Sequence, residues 1–400
     1  MNTPKLRFKG FTDSWETKKI KDIATVNQGL QIPISDRHYE NGENRFFYIT
    51  NEFLKPSSKV KYYIENPPKS VLCNEEDILM TRTGNTGQVV SNVSGAFHNN
   101  FFKINYNKSL ISRDYLTNFL KLKTTQHIIM TYAGQSTIPD LNHSDFYKIK
   151  VSYPNLKEQE KIGLFVNELE RKIRLQQEKT DLLKEQKKGY MQKIFSREIR
   201  FKDKKGREYP DWSKQKLGNF TERVTRKNSD LVTTRPLTIS AQHGLIDQVE
   251  FFNKTVASEN LTGYYLLNKG EFAYNKSYSN GYPLGAIKRL DDYENGALST
   301  LYICFTPKDN VNSDFLVHYF NSTQWYKEVS LICVEGARNH GLLNVSVSEF
   351  FDTLHYLPCL EEQLKIAKFF DCINQKIKLN ERTLKNLQDQ KQAFMQQMFI

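Results

Sequence analysis

The sequence predicts an α+β protein in which two mixed α/β domains alternate with two long helices, paired as an antiparallel coiled coil and related by a pseudo-twofold internal repeat. Three observations predict it. Residues 154–195 and 358–399 align without a gap at a constant shift of 204 and share 16 identities in 42 positions. Each copy carries an unbroken heptad seam. Between the copies lie short β-rich runs mixed with amphipathic segments.

The repeated text pairs Pro154 with Pro358, Leu156 with Leu360, Glu158 with Glu362, Gln159 with Gln363 and Lys161 with Lys365. A second echo links Arg7, Phe8, Lys9 and Trp15 with Arg200, Phe201, Lys202 and Trp212. The two tryptophans read as core anchors. Between the echoes, over residues 25–135 and 220–335, correspondence is loose. The halves are therefore duplicates that kept a frame while their contents drifted.

The repeated segment reads as a helix because no proline follows Gln159 and apolar residues recur at alternating steps of four and three. In the first copy the pairing seam is Ile162, Val166, Leu169, Ile173, Leu183 and Ile194. In the second it is Ile366, Phe370, Ile373, Ile377, Leu384, Leu387 and Met398. Gln176 with Asn380 and Lys187 with Lys391 put polar residues at matched seam positions, which weakens pairing but restricts its register. Glu168 with Lys172 and Glu170 with Arg174 are expected to pair along the outer face. About 37 residues at 1.5 Å each make a rod of roughly 55 Å, a spacer's length.

Each helix starts after a proline that closes an extended run, since the residue before proline avoids helical geometry. The expected division is 1–153, a domain; 154–198, a helix; 199–357, a second domain; and 358–400, a second helix. Residues 201–210, rich in Lys, Asp and Gly, read as the linker into the second half. Strands are expected at 46–49, 77–80, 88–93 and 101–104, and at 264–267, 271–274 and 301–305. Helices are expected at 113–123 and 313–321.

Composition narrows the function classes. Of 400 residues, 38% are hydrophobic and 12% aromatic, enough for packed cores. No apolar stretch approaches the length of a membrane span and residues 1–10 carry no apolar signal region, so a cytoplasmic protein without a membrane partner is expected. Five cysteines lack any C-x-x-C pair and are expected to be reduced and mostly buried. No histidine or cysteine spacing proposes a metal. A net charge of +12 favours a polyanionic partner, though on its own this is shared by many basic proteins.

Four loops combine glycine, small residues and hydrogen-bonding side chains as a surface approaching a duplex requires. In the first half, Thr81, Arg82, Thr83, Asn85 and Gln88 surround Gly84 and Gly87, and Gln135 and Ser136 follow Gly134. In the second, Asn275, Lys276, Ser277 and Tyr278 follow a strand, and Arg338, Asn339 and His340 lie between two glycines. Arginine can take guanine, and Asn or Gln adenine, through paired hydrogen bonds. Ordinary turns are the competing reading of these residues.

Catalytic motifs are missing. Asn66, Pro67, Pro68 and Lys69 resemble the Asn-Pro-Pro-aromatic motif of adenine methyltransferases, but Lys69 cannot stack on a base. No S-adenosylmethionine loop and no G-x-x-x-x-G-K-[ST] phosphate loop occurs. Asp140 and Asp145 near Lys148, and Asp211 near Lys214, lack the paired-carboxylate pattern of a nuclease.

At the helix starts, Pro154, Leu156, Glu158, Gln159 and Ile162, and again Pro358, Leu360, Glu362, Gln363 and Ile366, resemble the Pro-x-Leu-x-Glu-Gln-x-x-Ile signature of Type I restriction-modification specificity subunits. The resemblance covers the whole chain in that family's order of target-recognition domain, helix, target-recognition domain, helix. It implies a non-catalytic reader of double-stranded DNA that sits with two modification subunits and with restriction subunits. S-adenosylmethionine and ATP are then expected on those partners and no cofactor on this chain. Because Asn275, Lys276 and Ser277 stand where the first half has Thr81, Arg82 and Thr83, the two domains are expected to read different parts of a split, asymmetric target. Readers one DNA turn apart, roughly 34 to 36 Å, suit helices of this length. The alternative reading is a coiled-coil scaffold that binds proteins and whose basic charge is incidental.

Overall fold

The computed structural model describes residues 3–55, 58–134, 136–253, 260–333 and 343–400. Two compact units emerge: Met1–Glu178 with Glu381–Ile400, and Lys179–Asn380. The division passes through both long helices, which the sequence reading had kept as separate segments. Each domain thus forms its compact unit together with part of each helix.

The first unit opens with β1 (Glu16–Lys19), β2 (Ala24–Gln28), β3 (Arg45–Ile49), β4 (Tyr62–Glu65) and β5 (Leu72–Cys73). Next come β6 (Ile78–Thr81), β7 (Val89–Val90), β8 (Gly95–Phe97) and β9 (Phe101–Tyr106). Three helices follow, α1 (Arg113–Lys121), α2 (Lys123–Ala133) and α3 (His143–Lys148), before β10 (Lys150–Tyr153) and the long α4 (Leu156–Phe195). Two four-stranded sheets run in the orders β2-β9-β6-β7 and β4-β3-β8-β5, with β3 and β8 parallel. Strand β1 pairs antiparallel with β10, so the start of the domain is tied to the residues that lead into α4.

Every residue of β6 is buried, as the continuous apolar run Ile78, Leu79, Met80 suggests for a strand covered on both faces. Ser112 caps α1 by accepting the Tyr115 N–H. The expected helix over 113–123 is broken at Leu122, which is extended and buried in the core, and α2 starts afresh at Lys123.

The second unit has β11 (Ser213–Lys216), α5 (Leu217–Phe220), β12 (Thr221–Arg223), β13 (Pro236–Ser240), β14 (Gly244–Asp247) and α6 (Gln248–Phe252). Strands β15 (Tyr265–Asn268), β16 (Phe272–Asn275), β17 (Ala286–Arg289), β18 (Asn295–Leu298) and β19 (Ile303–Pro307) complete its sheets. Then come α7 (Ser313–Phe320), α8 (Tyr326–Ile332), α9 (Val347–Asp352), β20 (Leu354–Leu357) and α10 (Leu360–Met398). Its sheets run β12-β19-β16-β17 and β14-β13-β18-β15, with β13 and β18 parallel and β11 on β20. This is the first domain's strand order element for element. The duplication therefore extends through interiors whose residues no longer align.

The long helices, of 40 and 39 residues, span about 60 Å each. In the first unit α4 and α10 run antiparallel, with Phe165 against Phe394 at 5.1 Å and Glu170 accepting from Lys391 at 2.6 Å. In the second unit Tyr190 meets Phe369 at 5.2 Å and Phe195 stacks on Phe370. Ile162, Val166, Leu169, Ile194, Ile366, Phe370, Ile377 and Met398 are buried, and Ile173, Leu183, Ile373, Leu384 and Leu387 are half-buried. Several do more than pair. Ile162, Val166 and Met398 enter the first domain's core beside Tyr115 and Phe102, and Ile194, Ile366 and Phe370 enter the second's beside Phe315. The seam is thus occupied within the chain. Glu170 departs from expectation: it reaches Lys391 and Lys121 on other helices, and Arg174 turns to Glu178.

The repeated Glu-Gln dipeptide locks each domain to its helix. Glu158 is fully buried and takes two hydrogen bonds from Arg7, each 2.7 Å. In the second unit the Arg200 guanidinium and the Trp212 indole N–H both donate to Glu362. Gln159 accepts from the Ser112 backbone N–H and donates to the carbonyls of Leu110 and Pro154; Gln363 accepts from the Asn312 N–H and donates to Pro358. Trp15 and Trp212 are core residues, as expected. All five cysteines are free, but only Cys73 and Cys304 are buried, while Cys372 is exposed because it lies off the helix seam. No helix among the described residues is long and apolar enough to cross a membrane.

Candidate nucleic-acid interface

Strand β6 delivers the loop at 82–88 to one end of its sheet. Thr81 is the loop's anchor: fully buried, its hydroxyl donates to the Asn85 carbonyl and accepts from the Gln88 N–H at 2.8 Å. That corrects its place among the candidate readers, since burial and internal bonding leave it nothing to offer a ligand. Gly84 and Gly87 both have φ near +87°, and a Cβ on Gly84 would collide with the Asn51 amide, so the loop's glycines serve its close turn.

The structure joins this loop to the segment after α2. Arg82 donates to Asp140 at 2.6 Å, the Thr83 hydroxyl donates to the same carboxylate, and Thr86 donates to the Pro139 carbonyl at 2.6 Å. The Leu141 N–H closes the junction on the Arg82 carbonyl at 2.9 Å. Arg82 also lies over the Phe102 ring, 5.7 Å from its centre. Its guanidinium is therefore clamped, not free to swing. Beside it His143 packs on Phe102, and burial, with the Arg82 charge second, holds the imidazole below its usual pKa.

Asn85 and Gln88 are exposed on this surface, as is Ser136, whose hydroxyl donates to the Ile138 carbonyl. Ile138, which accepts that bond, is exposed as well. Two amides that can each present a donor and an acceptor, flanked by a fixed guanidinium and an apolar side chain, make a surface able to discriminate base edges in a groove.

The second domain repeats the junction with different chemistry. The Lys276 carbonyl accepts from the Leu343 N–H at 2.8 Å, as Arg82 accepts from Leu141, and the Lys276 ammonium reaches the Val345 carbonyl at 3.4 Å. Arg82 and Lys276 are thus structural counterparts. Asn275 accepts from the Ser277 N–H, both residues being half-buried, and Tyr278 is exposed. Gln135, Arg338, Asn339 and His340 lie outside the described residues.

Sequence reasoning missed Asp140, which it weighed only as a nuclease acid, and Asn51, which donates to the Thr83 carbonyl at 3.1 Å. The available signal was weak: Asp140 lies 58 residues from Arg82, and only folding shows that one carboxylate serves both Arg82 and Thr83. The other weighed acids are engaged too, Asp145 with Lys148 and Asp211 with Arg200. Among the described residues no cluster of His, Cys, Asp or Glu could hold a metal ion.

Comparison with known proteins fits this frame. Residues 12–185 match the Type I restriction modification DNA specificity domain. The chain is 24% identical to the Type I restriction enzyme MjaVIII specificity subunit of Methanocaldococcus jannaschii, covering 96% of this chain and 91% of that one. It is 22% identical to the MjaIX specificity subunit of the same organism over 54% of this chain and 53% of that one. The fold resembles the crystal structure of the Type I restriction-modification S subunit from M. genitalium, with a TM-score of 0.60, 15% identity, and coverage of 100% of this chain and 99% of that one. Two copies of one domain plan, each locked to its helix through the same Glu-Gln pair, thus accompany a similarity to Type I restriction-modification specificity subunits that runs along nearly the whole chain.

Proposed function

We infer that this chain supplies DNA sequence specificity to a Type I restriction-modification complex, each domain reading one part of a split, asymmetric target. The observation that carries this is the pair of equivalent junctions on one strand order: Arg82 with Asn85 and Gln88 in one domain, Lys276 with Tyr278 in the other. A shared frame with unlike side chains at the same place is what two readers of different sequence require.

The chemistry belongs to partners. Modification subunits would bring S-adenosylmethionine and methylate adenine, and restriction subunits would use ATP; this chain supplies recognition and docking. Two modification subunits, one per domain, suit the internal repeat. Exchanging residues 200–355 for those of a relative should change one half of the methylated motif and leave the other, as read by sequencing methylated adenines in cells; a change in both halves would refute the two-reader division. Purified alone with DNA and labelled S-adenosylmethionine, the chain should transfer no methyl group. A scaffold with incidental charge would bind all duplexes alike at every salt concentration, whereas a reader keeps a preference for its target.

A further inference from the structure

The repeated helices carry an identical lysine in unlike surroundings. Lys391 on α10 is neutralised by Glu170 at 2.6 Å. Its repeat partner Lys187 on α4 has no such contact, because the position of α10 equivalent to Glu170 is Asn374. Lys187 is half-buried and makes no hydrogen bond or ion pair among the described residues; the charge near it is Asp371, which is engaged with His318 at 2.9 Å.

Lys187 lines a groove of about 560 Å³ within the second unit. Its other cations are Lys288 on β17, Lys378 on α10 and Arg289, with Gln242, His243 and Asn321 adding hydrogen-bonding groups. Arg289 is committed to Asp291 and Asp314, at 2.6 and 2.8 Å. Lys288 meets only neutral groups, the Asn321 amide oxygen at 2.7 Å and the Tyr282 ring at 5.7 Å, and Lys378 is exposed without an ion pair among the described residues. Three lysines from three elements therefore face one groove whose lining acid, Asp291, is already paired with Arg289. Burial pushes the Lys288 ammonium down to about 8, with the Lys187 charge adding to the effect. A group so placed gains charge stability from an incoming anion.

We propose that Lys187, Lys288 and Lys378 form a phosphate-binding groove in the second unit that grips the backbone of DNA, giving this half of the protein a sequence-independent hold which the first half, with Lys391 paired to Glu170, lacks there. The proposal rests on the DNA-reading function and adds to it a backbone contact made by residues other than those that discriminate bases. The same chemistry could accept a phosphate group from a free nucleotide, and the experiment separates the two sources.

The full chain and the triple variant Lys187→Gln, Lys288→Gln, Lys378→Gln would be titrated with a mixed-sequence 40-base-pair duplex over a series of salt concentrations, beside the control Lys385→Gln on the same helix. Each lost phosphate contact flattens the plot of log affinity against log salt by about 0.9, so a slope shallower by about two to three is expected from the triple variant and none from the control. In parallel, inorganic phosphate and ATP would be followed by phosphorus NMR. A flattened slope identifies DNA as the source. An unchanged slope with phosphate or ATP binding lost in the triple variant keeps the groove but assigns it a small anion. If the triple variant retains its thermal melt, its duplex slope and its anion response, the groove is overturned. If the unmodified chain binds no duplex at all, the DNA-reading function fails instead, and the NMR arm still decides the groove.

Discussion

Arg7 holds the fully buried carboxylate of Glu158 with two hydrogen bonds of 2.7 Å, across 151 residues of sequence. One partner comes from the start of the domain and the other from the first turn of the helix after it, so the pair fastens the domain's two ends. Arg200 and Glu362 do the same in the second unit. Removing one partner of a buried pair leaves the other charge without compensation. Arg7→Ala should therefore destabilise the first unit by about 3 kcal/mol in urea unfolding, while Arg7→Met with Glu158→Leu should recover most of that loss. Equal stability of the single and double variants would show that the pair is not what fastens the ends.

At the first junction, Asn85 and Gln88 are exposed while Arg82 is clamped by Asp140. Replacing Asn85 with Ala should relax discrimination at one base pair by about 1–3 kcal/mol and leave the other half of the target untouched. Asp140→Ala should release Arg82 and Thr83 together and broaden the same half-site. Sequencing of methylated adenines in cells carrying each variant with its modification partner reads both effects; an unaltered motif in both would remove this loop from the reading surface.

The subunit docking proposed for this chain can be tested on exposed helix residues outside the seam. Leu175 on the first unit and its repeat equivalent Leu379 on the second are 49% and 65% exposed, more than a solvated helix needs to leave bare. Leu175→Glu and Leu379→Glu should each weaken co-purification with the modification subunit, by about 2 kcal/mol or roughly thirtyfold in Kd, without lowering the melting temperature of the free chain. Undiminished assembly in both variants would move the docking site elsewhere.

His355 is buried between Tyr319 and Thr353, each at 2.8 Å. The Thr353 hydroxyl already donates to the Phe350 carbonyl, so His355 donates from Nε2 to Thr353 and accepts from Tyr319 at Nδ1. Burial holds this imidazole down at about 4, below its ordinary 6.5. The folded state then binds fewer protons than the unfolded chain between these values. The stability that His355 contributes is present above pH 6.5 and is lost as pH falls toward 4, by up to about 3 kcal/mol. Urea unfolding of His355→Gln should show a flatter decline over that window. A decline identical to that of the unmodified chain would place the proton uptake on another group.

Periodicity and self-similarity alone determined the two helices, their seam, the pairing of the two opening tryptophans and the alternation of domains and helices, because these depend on local repeats that survive in the text. The strand order of the domain interiors was not legible there. Residues such as Leu79 and Ala273 occupy equivalent central strands through backbone pairing, which constrains burial and spacing but not identity. Tertiary structure also decided what the Glu-Gln signature is for: Glu158 and Gln159 satisfy buried donors and acceptors contributed from residues dozens of positions away, a requirement that no local pattern expresses. The same holds for the candidate interface. Thr81 looked like a reader and is an anchor, whereas Asp140 looked like a stray acid and sets the position of Arg82, since only the folded chain brings a carboxylate 58 residues distant within 2.6 Å of the guanidinium.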